Sequence, residues 1–334
     1  MKRADAAPSE GVIGLEQLTG DLARVEDALG VAVRSDDPLL REVASHLVEA
    51  GGKRLRPRLT LSTAYAASSD GTRSAASPEA VTGAAAVELV HLGSLYHDDV
   101  IDEAETRRGV PSVNARWSNI VAILAGDYLL AAASERAASL GADVAMLLAT
   151  TIGELCRGQV SELQHLFDAG RSEEAYLSAI SGKTAALFAT ACRIGGMVSD
   201  VSAPTLVALT DFGQHLGMCF QIVDDVLDLT GTEEQLGKPA GNDLLEGVYT
   251  LPVIYALEHS PELGDRIGGP LDPSTLDDVR ALVNADGAVT AALDVARSEA
   301  KLADEALANA GDELDVTVCA SLRQLVEGLI TRTT

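Results

Sequence analysis

The chain has 334 residues, a formal net charge of −25 and an apolar fraction of 47%, with aromatic residues at only 3%. The acidic balance excludes nucleic acid and anionic membranes as main partners, because both require a broad basic surface. The apolar fraction supplies a sizeable core, and the shortage of aromatic residues favours helices with closely packed backbones.

Helical spacing of apolar residues runs through most of the chain, and strand signals are nearly absent. Two helices are predicted within residues 12–48, separated by a break at 35–38, and a third runs from Pro57 to about Ala67. Residues 68–77 are a polar loop and 107–111 a turn. Further helices are predicted at 78–102, 112–117, 120–140, 142–166, 172–197, 203–229 and 251–259.

Residues 230–250 are rich in glycine and charge and include Gly237-Lys238-Pro239, which favours a long functional loop that acts as a lid. No linker divides the chain. We therefore expect one all-α domain over residues 13–334, preceded by a disordered tail at 1–12.

Neither a signal peptide nor an uninterrupted membrane span is visible. The four cysteines form no Cys-x-x-Cys pair and occupy apolar helical contexts, which predicts buried thiols. We expect a cytoplasmic protein without stable membrane insertion.

Two acidic clusters repeat one pattern, Asp-Asp-Val-Ile-Asp at 98–102 and Asp-Asp-Val-Leu-Asp at 224–228. Residues four apart share a helix face, so Asp98 and Asp102 point together, as do Asp224 and Asp228. The carboxylates repel each other, and Mg²⁺ relieves this by binding one or two carboxylates together with phosphate oxygens. A single cluster on a helix is usually solvated charge, but two copies in apolar surroundings predict a site for a diphosphate.

Basic and polar residues complete this prediction. Gly51-Gly52-Lys53-Arg54-Leu55-Arg56-Pro57 places three cations beside a helix start, where backbone N–H groups also bind anions. Short basic turns are common, and a lone helical histidine or glutamine usually serves the core. The remaining candidates for contacts with substrate phosphates are Arg107, Arg108, His91, Lys183, Thr184 and Gln221.

These motifs resemble, in the same order, those of the trans-prenyl diphosphate synthases, the polyprenyl synthetase family, and the resemblance spans about residues 39–257. The segments that carry it are 51–57, 97–102 (His-Asp-Asp-Val-Ile-Asp), 107–109 (Arg-Arg-Gly), 126–130 (Gly-Asp-Tyr-Leu-Leu), 183–184 (Lys-Thr), 220–228 (Phe-Gln-Ile-Val-Asp-Asp-Val-Leu-Asp) and 237–239 (Gly-Lys-Pro).

The resemblance implies the isoprenoid synthase fold, a helical bundle around a central cavity, in a homodimer. It implies condensation of isopentenyl diphosphate with an allylic diphosphate, assisted by several Mg²⁺ ions. The principal metal contacts are Asp98, Asp102 and Asp224, with Asp228, Asp99 and Asp225 contributing directly or through water. The implied contacts to the allylic diphosphate are Arg107, Lys183, Thr184, Gln221 and Lys238. Those to isopentenyl diphosphate are Lys53, Arg56, His91 and Arg108.

In this family a bulky residue just before the first acidic cluster closes the hydrophobic tunnel that holds the product. Gly93 and Ser94 occupy those positions here, and both are small. The resemblance therefore implies a long-chain polyprenyl product, with a geranylgeranyl or farnesyl product as the alternative.

Two other functions remain as alternatives. A class I terpene cyclase also ionises an allylic diphosphate, but it usually has a different second metal motif and needs no isopentenyl site such as Lys53 and Arg56. A non-catalytic helical subunit of a synthase is expected to have lost aspartates, and both clusters are intact.

Overall fold

The computed structural model of the chain describes residues 17–67, 75–232, 240–285 and 287–332. The expected tail at 1–12 and Lys238 lie outside these ranges. Sixteen helices are found within them: α1 (Leu18–Ala32), α2 (Pro38–Glu49), α3 (Leu55–Ala66), α4 (Pro78–Ile101), α5 (Val113–Arg116), α6 (Asn119–Ser139), α7 (Ala142–Gln164), α8 (Glu173–Ile180), α9 (Ala186–Met197), α10 (Ala203–Thr230), α11 (Asn242–Glu246), α12 (Leu251–Leu257), α13 (Pro261–Gly264), α14 (Leu276–Ala285), α15 (Ala288–Asn309) and α16 (Val316–Thr331).

The described residues contain three other kinds of regular element. Strands β1 (Thr106–Arg107) and β2 (Val110–Pro111) form an antiparallel hairpin, and Ser181–Ala185 form a π-helical turn between α8 and α9. Short 3₁₀ turns occur at Pro273–Thr275 and Gly311–Glu313. The all-α fold class predicted from the apolar periodicity is confirmed.

Short polar side chains fix where the long helices begin. The Asp37 carboxylate accepts from the Leu40 backbone N–H at 2.9 Å, and the Ser77 hydroxyl accepts from the Ala80 N–H at 3.1 Å. Both caps precede a proline at the first helical position, where the missing N–H costs no helix hydrogen bond. The starts of α2 and α4 are therefore encoded locally.

Helices α4 and α10 form the centre of the molecule. α4 packs against α3, α6 and α9, and α10 packs against α9 and α15. Both are apolar on nearly all sides, as expected of helices surrounded by other helices. Because the acidic clusters lie at the C-terminal ends of these two helices, the buried core sets their positions.

The structure differs from the sequence predictions at three elements and at one cysteine. The third helix begins at Leu55, two residues before Pro57, and the predicted helix at 172–197 is interrupted by the π-helical turn. The predicted loop at 230–250 contains α11. Cys156 is exposed rather than buried, because its side of α7 is not covered by another described helix.

No helix in the described ranges combines the length and the apolar character needed to cross a bilayer.

The crossing of α9 and α10 depends on two glycines one helical turn apart. A methyl group at Gly213 would lie 2.6 Å from the Phe188 carbonyl oxygen, and one at Gly217 would lie 2.9 Å from the Ala185 Cβ. Both separations are below van der Waals contact. These glycines therefore let the two backbones approach closely, in agreement with the aromatic-poor composition.

We expect Gly213→Ala to destabilise the protein by about 1–3 kcal/mol, because overpacking outweighs the gain in helix propensity. Gly30→Ala is the matched control: Gly30 is exposed on α1, and a methyl group added there would have no described atom within 4 Å. That change should stabilise by roughly 0.5–1 kcal/mol. Urea unfolding curves of the two variants measure both effects, and equal shifts would contradict the proposed crossing.

Candidate active site

One cavity of about 940 Å³ receives residues from both acidic clusters. Asp102 reaches it from the end of α4, and Asp225 reaches it from α10. Residues 240–250 close another side of it. Further lining residues with polar side chains include Arg107, Gln159, Glu162, Lys183, Gln221, Asn242 and Asp243. The two halves of the sequence therefore meet at one hollow.

In the first cluster, the middle carboxylate is turned inward. Asp99 is fully buried and accepts a hydrogen bond from Arg107 Nε at 2.6 Å, while its Oδ2 has no described partner. Burial raises the pKa of Asp98 to about 6; the nearby Lys183 opposes this shift and Asp102 adds to it. Asp98 and Asp102 are therefore the members of this cluster with solvent-accessible surface.

The second cluster repeats this arrangement. Asp225 is buried and accepts hydrogen bonds from the Tyr176 hydroxyl at 2.6 Å and from Gln221 Nε2 at 2.7 Å. Thr184 extends the chain by donating to Gln221 Oε1 at 2.7 Å. Burial raises the pKa of Asp225 to about 7, although these two donors oppose it. The Thr184–Gln221–Asp225 chain thus joins the Lys-Thr motif to the second cluster.

The outer carboxylates of the second cluster differ in exposure. Asp224 is exposed, whereas Asp228 is 5% exposed and accepts a hydrogen bond from the Asp243 backbone N–H at 3.2 Å. Although the two residues share a helix face, α11 covers the later one. Lys238, predicted to contact the allylic diphosphate, lies outside the described residues.

Lys183 lies in the π-helical turn and points into the cavity. Its ammonium group forms an ion pair with Glu162 of α7. Burial lowers the pKa of Lys183, but Glu162, Asp98 and Asp102 together raise it above its ordinary value. The lysine is therefore a cation placed among carboxylates. Its charged ammonium group is the kind of donor that binds diphosphate oxygens.

A second cluster, of arginines, surrounds one buried carboxylate. Glu88 is 1% exposed, and its Oε1 lies 2.8 Å from Arg54 Nη1 and 3.8 Å from Arg108 Nη2. Arg54 also binds Glu26 through two nitrogens, at 2.6 and 3.1 Å. The Arg54 guanidinium thus donates its hydrogen bonds to protein groups and is not turned toward solvent.

Arg56 and His91 belong to the same basic cluster. Arg56 lies 4.6 Å above the Phe188 ring, its Nε has no described partner, and burial lowers its pKa to about 10. The pKa of His91 lies well below its usual value, mainly because the side chain is buried and also because arginines are nearby. His91 is therefore neutral at pH 7 and offers a hydrogen bond without adding charge. Lys53 is exposed beside this cluster.

The hairpin carries one arginine to each cluster. Arg107 reaches Asp99, whereas Arg108 donates to the backbone oxygens of Gly51 and, at 3.2 Å, of Leu47. Arg108 and Gly109 at the turn both have positive φ, of 54° and 75°, as a tight two-residue hairpin requires.

The residues predicted to set product length lie on two sides of α4. A methyl group at Gly93 would lie 3.1 Å from the Gly126 carbonyl oxygen of α6, so Gly93 permits a close helix crossing. Ser94 is half-buried, and Tyr96 points away from it to donate to the Val43 oxygen of α2 at 2.7 Å. The effect of Gly93 and Ser94 on product length stays a prediction.

Sequence reasoning missed four residues of the site: Glu26, Glu88, Glu162 and Tyr176. Glu88 had a usable signal, since an acid within the apolar run Ala-Ala-Ala-Val-Glu-Leu-Val needs a buried partner. Glu162 and Tyr176 had none, because their roles arise from contacts with residues 21 and 49 positions away.

The donor set fits Mg²⁺ shared with a diphosphate. Within the described ranges no three His, Cys, Asp or Glu side chains are close enough to hold an ion alone. The carboxylates nevertheless supply only oxygen ligands, Asp99 Oδ2 has no described partner, and Asp102 opens onto the cavity. Mg²⁺ typically takes one or two carboxylates and completes its shell with water and phosphate oxygens.

Comparison with known proteins agrees with this geometry. Residues 37–285 match the family model described as polyprenyl synthetase. The chain is 47% identical to heptaprenyl diphosphate synthase component 2 of Geobacillus stearothermophilus, over 72% of this chain and 73% of that protein. It is 41% identical to nonaprenyl diphosphate synthase of Mycobacterium tuberculosis, over 75% of each.

A solved structure extends the match to the whole fold. The decaprenyl diphosphate synthase of Rhodobacter capsulatus superposes with a TM-score of 0.86 at 35% identity, covering 95% of this chain and 97% of that one. The chain therefore belongs to the polyprenyl synthetase family and is a prenyltransferase with the all-α isoprenoid synthase fold.

Proposed function

We propose that the protein condenses isopentenyl diphosphate with an allylic diphosphate, repeatedly, to make a long-chain polyprenyl diphosphate. The observation that carries this proposal is the shared cavity, which receives Asp102 from the first acidic cluster, Asp225 from the second, and the side chain of Lys183. The names of the relatives favour a long chain, since they are heptaprenyl and nonaprenyl synthases.

Asp98, Asp102 and Asp224 are the proposed principal contacts of Mg²⁺, and Asp99, Asp225 and Asp228 support them. When bound, the metal supplies positive charge that stabilises pyrophosphate as a leaving group. The inward carboxylates Asp99 and Asp225 are held by Arg107, Tyr176 and Gln221, which keeps each acidic cluster in a fixed orientation.

The allylic diphosphate is proposed to bind Arg107, Lys183, Thr184 and Gln221, together with Lys238. Its allylic C–O bond breaks, and the bonding electrons leave with pyrophosphate. Cationic and amide groups fixed before the reaction stabilise that charge without reorganising.

Isopentenyl diphosphate is proposed to bind Lys53, Arg56, Arg108 and His91. Of these residues, Arg108 is paired with Glu88, which Arg54 also holds. The isopentenyl double bond attacks the allylic cation to form the new C–C bond, and a proton is then lost, with the departing pyrophosphate as the proposed acceptor. Exclusion of water from the cavity prevents hydrolysis of the cation.

A single domain over residues 13–334 remains part of the proposal. It is supported by packing between helices distant in sequence, such as α3 with α9 and α3 with α16.

We expect Asp98→Ala and Asp224→Ala each to lower kcat by about 10²-fold or more, because each removes charge stabilisation from the leaving group. Incorporation of radiolabelled isopentenyl diphosphate with Mg²⁺ and an allylic starter measures this. Turnover that survives both changes would contradict the proposed site.

The same variants should remain folded. Because the native pKa of Asp98 is raised above its unfolded value, its proton is held more tightly in the native state, and its contribution to stability falls as pH rises toward about 6. Asp98→Ala should therefore not lower the thermal midpoint at pH 7.5 in EDTA, which separates lost chemistry from lost folding.

We expect Ser94→Phe to shorten the product, since a bulky side chain on this face of α4 closes the proposed tunnel. Ser94→Ala is the matched control and should leave product length unchanged. Chromatography of the dephosphorylated products sizes both, and an unchanged length in Ser94→Phe would show that the tunnel runs elsewhere.

A homodimer is proposed through the outer faces of α6 and α7. Large apolar side chains are exposed there, with Ile120 at 72%, Leu124 at 60% and Met146 at 69%. Such a patch is unusual for a monomer. Two relatives are named component 2, so a different partner chain is the alternative occupant.

We expect Leu124→Glu to shift the purified protein from dimer to monomer, because a buried unpaired carboxylate opposes association. Val316→Glu, at an exposed apolar residue at the start of α16, is the control and should leave the mass unchanged. Light scattering after gel filtration measures the mass. A wild-type monomer would contradict the homodimer.

A further inference from the structure

Glu162 is the side chain that contacts the ammonium group of Lys183 in the cavity wall. Its Oε1 forms an ion pair with the Lys183 ammonium, and both side chains line the cavity. Glu162 is the less accessible partner, with its side chain 12% exposed against 32% for the lysine. The pair is therefore a built contact of the cavity wall rather than a mobile surface pair.

Two glycines fix this pair in place. A methyl group at Gly158 of α7 would lie 2.8 Å from the Ala179 carbonyl oxygen, and one at Gly182 of the π-helical turn would lie 2.9 Å from the Glu154 oxygen. The backbones of α7 and the turn thus touch one helical turn before Glu162. That contact, together with the extra residue of the π-helical turn, directs Lys183 toward α7.

Glu162 also lies within electrostatic reach of both acidic clusters. Glu162 raises the pKa values of Asp98 and Asp102 in the first cluster and of Asp225 in the second. In each case its effect is smaller than that of burial. Lys183 has the opposite effect on Asp98 and Asp102. The carboxylate and the lysine therefore offset one another in their effects on Asp98 and Asp102.

We propose that Glu162 is a positioning residue that holds Lys183 in the cavity beside the first acidic cluster and competes with a diphosphate for it. A diphosphate without metal must displace a carboxylate from Lys183 and enter a cavity rich in negative charge. A diphosphate that carries divalent cations avoids this repulsion, because the carboxylates bind the cations. Glu162 thus makes the cavity selective for the metal complex of its substrate. This inference rests on the proposed function of the cavity.

The test is binding of inorganic pyrophosphate to the full-length protein in EDTA, measured by calorimetry. We expect Glu162→Gln, which keeps the shape but not the charge, to bind about tenfold more tightly than the wild type, as expected for freeing one charge-assisted contact. Glu162→Asp, which keeps the charge, should stay within about threefold of the wild type. Weaker or unchanged binding by Glu162→Gln would overturn the proposal.

Two controls assign the effect to Lys183. Glu154→Gln removes a charge from the same helix, where Glu154 is 43% exposed and lies 4.0 Å from Arg157, and should leave the affinity unchanged. In a Lys183→Met background, Glu162→Gln should give no tightening, because the competition has been removed. Equal tightening in both backgrounds would show a general charge effect and would also overturn the proposal.

These measurements need no prenyl transfer, so they are independent of the activity assay. A wild type that makes no polyprenyl product refutes the proposed function, whatever its pyrophosphate affinity. A wild type that makes product, combined with unchanged binding by Glu162→Gln, refutes only the role of Glu162. Thermal unfolding confirms that each variant is folded.

Discussion

Repulsion between carboxylates held on rigid buried helices is the constraint on which this structure depends. The acidic clusters end α4 and α10, the two helices at the centre of the core, so the acids cannot separate without disrupting the packing. Burial raises the pKa values of Asp98 and Asp225, which shows that their charge is costly in this environment. The core thus stores an unfavourable interaction that cations and their phosphate ligands relieve.

The acidic and basic halves of the site are organised alike. Lys183 lies among the acidic side chains of the cavity and is held by Glu162, and Glu88 lies among the arginines and is held by Arg54. In each case a group of opposite sign lies within a cluster of like charges. Such a counter-charge reduces the net cost of burying the cluster and orients its members, so both proposed diphosphate sites are organised in the protein alone.

Much of this organisation could be predicted from the sequence. Helical periodicity, caps such as Asp37 and Ser77, and glycine pairs locate the helices from α1 to α10 and α12, because these signals are local. The repeated aspartate pattern locates the two helices of the proposed metal site for the same reason. The π-helical turn was not predicted, since it depends on how Gly158 and Gly182 meet. The contacts of Glu162 and Tyr176 were also missed, because they join residues distant in sequence. The small size of Gly93 suggested that it leaves the tunnel open. In the fold, Gly93 allows α4 to cross α6 closely at Gly126.

The hairpin that contains Arg107 and Arg108 mechanically links the two halves of the site. Arg107 ends β1 and Arg108 is the first residue of the turn, where its positive φ redirects the backbone, so one guanidinium reaches Asp99 and the other lies near Glu88. Because both arginines belong to one hairpin, a displacement of the hairpin would move both guanidinium groups together, one relative to Asp99 and the other relative to Glu88.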